Sequence, residues 1–160
     1  MNKHKFIGSL ILSMFCVLLI GWNIYAYLCI GVSHNYDIDF VEKDLIIQVE
    51  ILNSLWLGLT YFLTINCSVL IVCTIMFIIT KSWYKLRLAL YLISIICGFV
   101  MLYHSNYQCS RLVDLSINNS YVIDVILKPQ YNICIIVDLI ITSMSLALDI
   151  LYYWKFNKTS

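Results

Sequence analysis

Two aspartates near the C-terminus are the residues of this chain whose type and spacing could do chemistry. Asp138 and Asp149 are separated by eleven positions in an otherwise apolar stretch. A helix turns about 100° per residue, so this spacing returns the two carboxyl groups to within about 20° of one face. Thr142 and Ser145 lie between them at the same phase. The four residues therefore form a polar stripe along one side of a predicted helix.

The polar stripe has a structural and a functional interpretation. Carboxylates in apolar surroundings are costly, so each is expected to face polar partners. In the structural interpretation, each carboxyl group bonds to Asn, Ser, Thr or Tyr of a neighbouring segment, or pairs with a basic residue of a partner protein. In the functional one, the two carboxylates are stations along a proton or cation path. The apolar stretches of the chain contain no Lys, Arg or His, so we expect no counter-charge beside either aspartate.

Four long apolar stretches carry these residues and fill most of the 160-residue chain. They cover residues 6–32, 51–79, 88–103 and 133–153. About 20 apolar residues cross the hydrocarbon core of a bilayer, and 62% of the chain is hydrophobic while only 12% is charged. Continuous apolar runs favour helices over barrel strands, because lipid offers the backbone no hydrogen-bond partner. The sequence therefore predicts an all-α membrane protein, a single domain over residues 1–160 that forms a four-transmembrane-helix bundle in a lipid bilayer.

The first apolar stretch could also be a secretory signal peptide, because Lys3 and Lys5 precede it. It is longer than the core of such a signal, and no clean small-x-small cleavage site follows it. We therefore expect it to be retained as the first transmembrane helix.

Basic residues predict the orientation of the bundle. Seven of the ten fall on one side of the predicted bundle, which holds Lys3, Lys5, Lys81, Lys85, Arg87, Lys155 and Lys158. The other side holds Lys43, Arg111 and Lys128. By the positive-inside rule, both termini and the loop over residues 80–87 face the cytoplasm. The loops over residues 33–50 and 104–132 then lie outside.

Polar residues on the other spans are candidate partners for the stripe. Asn23 lies in the first span, and Asn53, Thr60 and Thr64 form a row in the second. Asn66 lies off that row and is a further buried polar candidate. Residues of these types let membrane helices approach and hydrogen-bond. We expect the rows to face inward together, as packing seams or as the lining of a path.

Cysteines and glycosylation triplets supply further candidate sites. Three cysteines lie near the outer side of the predicted bundle: Cys29, Cys109 and Cys134. In an oxidising compartment, Cys109 could form a disulfide with one of the other two. Asn118 begins an acceptor triplet in the third loop, on the side where glycans attach.

Motifs for cofactor and metal chemistry are missing from the sequence. The three histidines are scattered, so no metal site is expected. No phosphate loop, dinucleotide fingerprint or nucleophile elbow is present, and we expect no cofactor and no enzymatic activity. A formal net charge of +1 without a basic cluster predicts no nucleic-acid partner.

The layout of the chain resembles that of the lysosomal-associated four-span proteins and the small insect four-span proteins like them. A long first span contains Gly21 and Trp22, an acidic loop follows, and then come a basic hairpin, a longer outside loop and a polar-spotted last span that ends in aromatics and Lys155. The chain departs from that layout in lacking an N-terminal cysteine cluster and a proline–tyrosine motif in its tail. The resemblance implies a role in trafficking and a place in lysosomal or endosomal membranes.

Three functional hypotheses follow. The first is a non-enzymatic multi-pass protein of the endomembrane system or plasma membrane, which interacts with other membrane proteins or with copies of itself in trafficking or membrane organisation. The second is a small transporter or channel subunit that uses Asp138 and Asp149. The third is a membrane enzyme whose basic second loop contacts lipid phosphates.

Glycosylation tests the predicted orientation. After expression in microsomes we expect a glycan that Asn118→Gln removes and Asn157→Gln leaves in place, because glycans attach on the outer side. Gel mobility before and after glycosidase treatment measures it. A glycan on Asn157 would put the tail outside and contradict the charge-based topology.

Overall fold

The protein is a bundle of four long helices. A computed structural model describes residues 3–33, 45–79, 83–115 and 123–157. Its helices are α1 (Lys3–Ser33), α2 (Leu45–Ile79), α3 (Tyr84–Leu115) and α4 (Lys128–Asn157). A π-helical turn over Ile123–Leu127 leads into α4. These residues contain no strand, and the predicted all-α four-helix architecture is confirmed.

Each of the four helices is long and apolar enough to cross a membrane. The candidate spans are Phe6–Ile30, Ile47–Ile79, Tyr84–Leu115 and Ile123–Lys155, with mean hydropathies between 2.1 and 2.5. Their outward surfaces carry large apolar side chains, among them Val17, Ile65, Phe99 and Leu151. Such surfaces match lipid, which solvates apolar side chains as well as a protein core does. The chain is a multi-pass membrane protein.

Helix α3 differs most from its predicted extent. The sequence predicts a span over residues 88–103, whereas α3 begins at Tyr84 and continues to Leu115. Much of the predicted outside loop over residues 104–132 is therefore helical. The reason lies in Ser105, Cys109 and Leu112, which recur at helical spacing and bury one face of the extension. Residues 116–122 of that loop, and residues 34–44 of the first outside loop, lie outside the described ranges.

Helices α2 and α4 form the middle of the bundle. Each packs against α1 on one side and α3 on the other, and they also contact each other. The chain runs up and down, so the starts of α1 and α3 meet the ends of α2 and α4. We call the end of the bundle where α1 and α3 start the Arg87 end, after the first buried residue of α3. The opposite end, where α3 stops, is called the Leu115 end.

Polar side chains join the helices near the Leu115 end. Gln48 of α2 donates to the Leu115 carbonyl at 3.0 Å. Asn132 of α4 donates to the side-chain oxygen of Asn106 of α3 at 3.1 Å. Trp22 of α1 donates its indole N–H to the carbonyl of Cys134 at 3.2 Å. In lipid such bonds hold helices together because no water competes for the groups.

Gly98 lies at a close contact between α3 and α4. A Cβ atom built on Gly98 would overlap the side chain of Leu139, whose Cγ would lie 2.8 Å away. Gly21 of α1 offers the contrasting case, because a Cβ there meets nothing within 4 Å. The small residue at position 98 therefore sets the distance between α3 and α4.

Gly98→Ala should destabilise the bundle by about 1–3 kcal/mol, since the added methyl overpacks the α3–α4 contact. Gly21→Ala is the matched control and should be neutral or slightly stabilising. Equilibrium unfolding in mixed micelles with increasing denaturing detergent measures both. Equal stability of the two variants would show that α3 and α4 lie further apart than described.

Candidate functional site: two intramembrane carboxylates

Asp149 forms a buried ion pair with Arg87. The Nε of Arg87 lies 2.7 Å from Oδ2 of Asp149, and Nη2 lies 2.9 Å from Oδ1. The two side chains are only 4% and 2% exposed. The contact is bidentate, which is the strongest geometry for a guanidinium and a carboxylate. It joins the first turn of α3 to the last third of α4.

Aromatic rings surround this ion pair. The guanidinium carbon of Arg87 lies 5.4 Å from the ring centroid of Phe77 and 6.0 Å from that of Tyr84. Phe77 meets Tyr152 edge-on at 4.7 Å, and Tyr84 stacks on Tyr153 at 3.7 Å. Cation–π contacts strengthen when the cation is desolvated. The rings from α2, α3 and α4 thus exclude water or headgroups from the pair and attract its positive partner.

The expectation that no counter-charge lies beside the aspartates is wrong for Asp149. Arg87 was placed in a cytoplasmic loop over residues 80–87, but α3 begins at Tyr84 and takes Arg87 into its buried face. One signal for this was in the sequence. Tyr91, Ser94 and Gly98 form the inward row of α3, and Arg87 continues that row one turn earlier.

Asp138 has a different environment, in which its partners are neutral. It is 0% exposed, and Asn66 of α2, itself 2% exposed, donates from Nδ2 to its Oδ2. The same Nδ2 lies 3.3 Å from the hydroxyl oxygen of Thr142. Asn23 of α1 also lies beside the carboxyl group, and its amide donates to the Leu19 carbonyl at 2.8 Å. Three helices therefore meet at Asp138.

The remaining stripe residues lie between the two carboxyl groups. Thr142 and Ser145 are both buried, and Ser145 donates to the Ile141 carbonyl at 2.8 Å. On the neighbouring helices, Cys16 and Thr74 meet at 2.9 Å in the same part of the bundle. The structure thus places all four stripe residues in the interior and separates the carboxyl groups by about 16 Å along α4.

The predicted polar row of α2 does not face inward as a whole. Asn53 and Thr64 are exposed and Thr60 is half-buried, while Asn66 is buried. The inward face is instead set by Leu59, Leu63, Asn66, Leu70 and Cys73, which recur at three- and four-residue steps. The expectation that Asn53 and Thr64 point into the bundle is therefore wrong, because the large apolar residues decide which side of α2 packs.

The other predicted sites are placed as follows. Cys109 is a free thiol that packs in the apolar core, so the predicted disulfide of Cys109 with Cys29 or Cys134 is not formed in the structure. Asn118 lies outside the described residues. Within the described ranges, no group of three His, Cys, Asp or Glu side chains is arranged to hold a metal ion.

Comparison of the chain with protein-family models, curated proteins and solved structures finds no match. Asp149 is neutralised by Arg87 and acts as a clamp between α3 and α4. Asp138 joins α4 to α1 and α2 through amides and a hydroxyl.

Removing one partner of the Arg87–Asp149 pair should strongly destabilise the protein. We expect a loss of about 3–5 kcal/mol for Arg87→Met or Asp149→Leu, because each leaves a buried charge without its partner. The double variant should be more stable than either single one. Unfolding in mixed micelles measures the cycle.

Lys128→Met supplies the control for this cycle. It breaks an ion pair with Asp124 in which the charges are 3.8 Å apart and the side chains 33% and 50% exposed. Such a pair contributes at most about 1 kcal/mol. If the Arg87 and Asp149 variants were as mild as Lys128→Met, the ion pair would not be desolvated in the folded protein.

Proposed function

We propose that this chain is a non-enzymatic membrane protein that acts by lateral association in the bilayer, through a groove between α1 and α2 that receives the same surface of a second copy. The groove is the observation that carries the proposal. Its volume is about 340 Å³. It is lined by Ile20, Asn23, Ile24, Tyr27, Leu28, Thr60, Leu63, Thr64, Cys67 and Ser68.

A ridge of small hydroxyl residues forms the α2 wall of the groove. Thr60, Thr64 and Ser68 follow one another at four-residue spacing. Each hydroxyl donates to the carbonyl four residues earlier at 2.8 Å. These bonds satisfy the donors inside the helix and leave oxygen lone pairs available as acceptors. The ridge can therefore face lipid before association and contact another helix afterwards.

Small residues at four-residue intervals favour close helix–helix contact in membranes. Without a large side chain on the ridge, two backbones can approach and gain van der Waals contact and weak hydrogen bonds. A two-fold interface uses the same patch on both subunits. The ridge fits this requirement because its three residues are all small and cover two helical turns. Ile24 and Tyr27 form the apolar rim of the groove on α1. These features support a second copy as the occupant.

The transporter hypothesis receives less support from the arrangement of the carboxyl groups. A path over two carboxylates requires both to exchange their ligand, whereas the bidentate contact with Arg87 occupies both oxygens of Asp149. A buried pair of this kind resists separation, since breaking it leaves two uncompensated charges. Asp149 therefore fits a structural role better than a transport role.

The proposed role in trafficking or membrane organisation rests on the layout shared with the lysosomal-associated four-span proteins. A self-associating bundle with short connections can concentrate in one region of a membrane and gather other membrane proteins around it. On this basis we place the chain, as part of the proposal, in the endomembrane system or at the plasma membrane.

Energy transfer between donor- and acceptor-labelled copies in lipid vesicles tests the association. We expect Thr64→Leu with Ser68→Leu to weaken it about tenfold, which corresponds to about 1.4 kcal/mol, because two bulky side chains separate the ridges. Association is measured over a series of protein-to-lipid ratios.

Ser143→Leu is the matched control. Ser143 is an exposed hydroxyl residue on α4, away from the groove, so its replacement should leave energy transfer unchanged. A wild-type protein that stays monomeric at every ratio would overturn the second copy as occupant. Equal loss in both variants would show that the surface as a whole, rather than the ridge, drives association.

A further inference from the structure

The two intramembrane aspartates differ in how their charge is balanced. Asp149 has Arg87 at 2.7 Å, whereas no basic side chain among the described residues contacts Asp138, which is 0% exposed. A carboxylate that is buried without a counter-charge is far less stable than one in water. A carboxyl group without a counter-charge in a low-dielectric site therefore either binds a cation or takes up a proton.

Unpartnered oxygen atoms around Asp138 indicate which of these occurs. The Oδ1 atoms of Asp138, Asn66 and Asn23 are all buried and have no hydrogen-bond partner. If Asp138 is ionised, all three atoms are acceptors, and the site lacks a donor. A buried acceptor without a donor has lost its hydrogen bonds to water and gained none in return, which destabilises the fold. A single proton on Oδ1 of Asp138 would give two of the three oxygen atoms a hydrogen-bond partner, because Oδ1 would become a donor to one of the amide oxygens.

We propose that Asp138 is a proton-binding site, which holds a neutral carboxylic acid paired with the amide of Asn66. Oδ2 accepts from Asn66 Nδ2, and the proton on Oδ1 is donated to an amide oxygen of the site, Asn66 Oδ1 or Asn23 Oδ1. The proton comes from the aqueous phase and forms one O–H bond. No other bond is made or broken, and nothing is oxidised or reduced.

The groups that face Asp138 are consistent with a neutral acid. Asn23 lies on α1, Asn66 and Cys67 on α2, and Thr142 and Cys134 on α4. The two thiols are the titratable groups among them, and thiols are neutral at pH 7 unless a positive charge activates them. From α3, Gly98 packs nearby against Leu139, the residue next to Asp138. Among the described residues, no charged side chain of the four helices contacts the carboxyl group of Asp138.

The proposal gives the two aspartates opposite states within one bundle. Asp149 is ionised and held by Arg87, and Asp138 is neutral and held by amides. About 16 Å along α4 separates them, so each carboxyl group has its own environment. The proton at Asp138 joins α4 to α2, and through Asn23 to α1, without placing a net charge among the three helices.

Infrared spectroscopy of the protein in lipid vesicles tests the proposal directly. A protonated carboxylic acid has a C=O stretching band that a carboxylate lacks, and carboxyl groups in water are ionised at pH 7. We expect the wild type to show this band at pH 7 and Asp138→Asn to lose it. The double variant Arg87→Met with Asp149→Asn is the matched control and should retain the band, because Asp149 is ionised in the wild type and the double variant leaves no buried charge unpaired.

A second measurement avoids dependence on the folding of the variants. Labelling all aspartates of the wild type with ¹³C at the carboxyl carbon should move the whole band, which assigns the band to aspartate rather than to either of the two glutamates. A band that survives Asp138→Asn and disappears in the Arg87→Met, Asp149→Asn double variant would overturn the assignment. No band in any preparation would show that Asp138 is ionised.

A bound alkali cation is the competing outcome. Replacing sodium chloride by choline chloride at fixed ionic strength distinguishes it, because choline is too large for a buried site between three helices. A wild-type band that is absent in sodium and present in choline would mean that sodium balances the carboxylate, and would overturn the proton. A band of equal strength in both salts supports the proton.

Discussion

A charge cannot remain in the interior of a lipid-embedded bundle without a partner, and the bidentate contact between Arg87 and Asp149 is where this constraint is met. The contact lies on the face of α3 that meets α4, and the rings of Phe77 and Tyr84 pack against its guanidinium group. The Arg87 end of the bundle is therefore organised by electrostatics. The Leu115 end is organised by apolar packing and by single hydrogen bonds between helices.

Polar groups elsewhere in the bundle follow the same constraint in two ways. Hydroxyls that face lipid, such as those of Thr64 and Ser68, bond to their own backbone. Side chains with more hydrogen-bonding capacity, such as Asn66 and Asp138, turn inward and bond across helices. Rows of polar residues with the same spacing can thus have different roles, because a hydroxyl can be satisfied locally and a carboxyl group cannot.

Much of the architecture follows from the sequence, because hydropathy and helical period are local properties. The period places Asp138, Thr142, Ser145 and Asp149 on one face of α4, and the structure buries all four. The inward side of α2 could not be predicted in this way, since large apolar residues occur on every side of α2 and tertiary packing selects Asn66 over Thr64. The pairing of Arg87 with Asp149 could not be predicted, because a basic residue beside the end of a span is also what the positive-inside rule expects of a cytoplasmic loop. Only the extent of α3 distinguishes the two roles.

The ion pair also constrains how the bundle is made. Arg87 lies in α3 and its partner lies in α4, which follows in the chain. Until α4 is in place, Arg87 can remain at the membrane surface, near the start of α3, where its long side chain reaches water. Burial of Arg87 must therefore wait for Asp149. The final packing of α3 therefore depends on α4, and the two helices reach their packed state together.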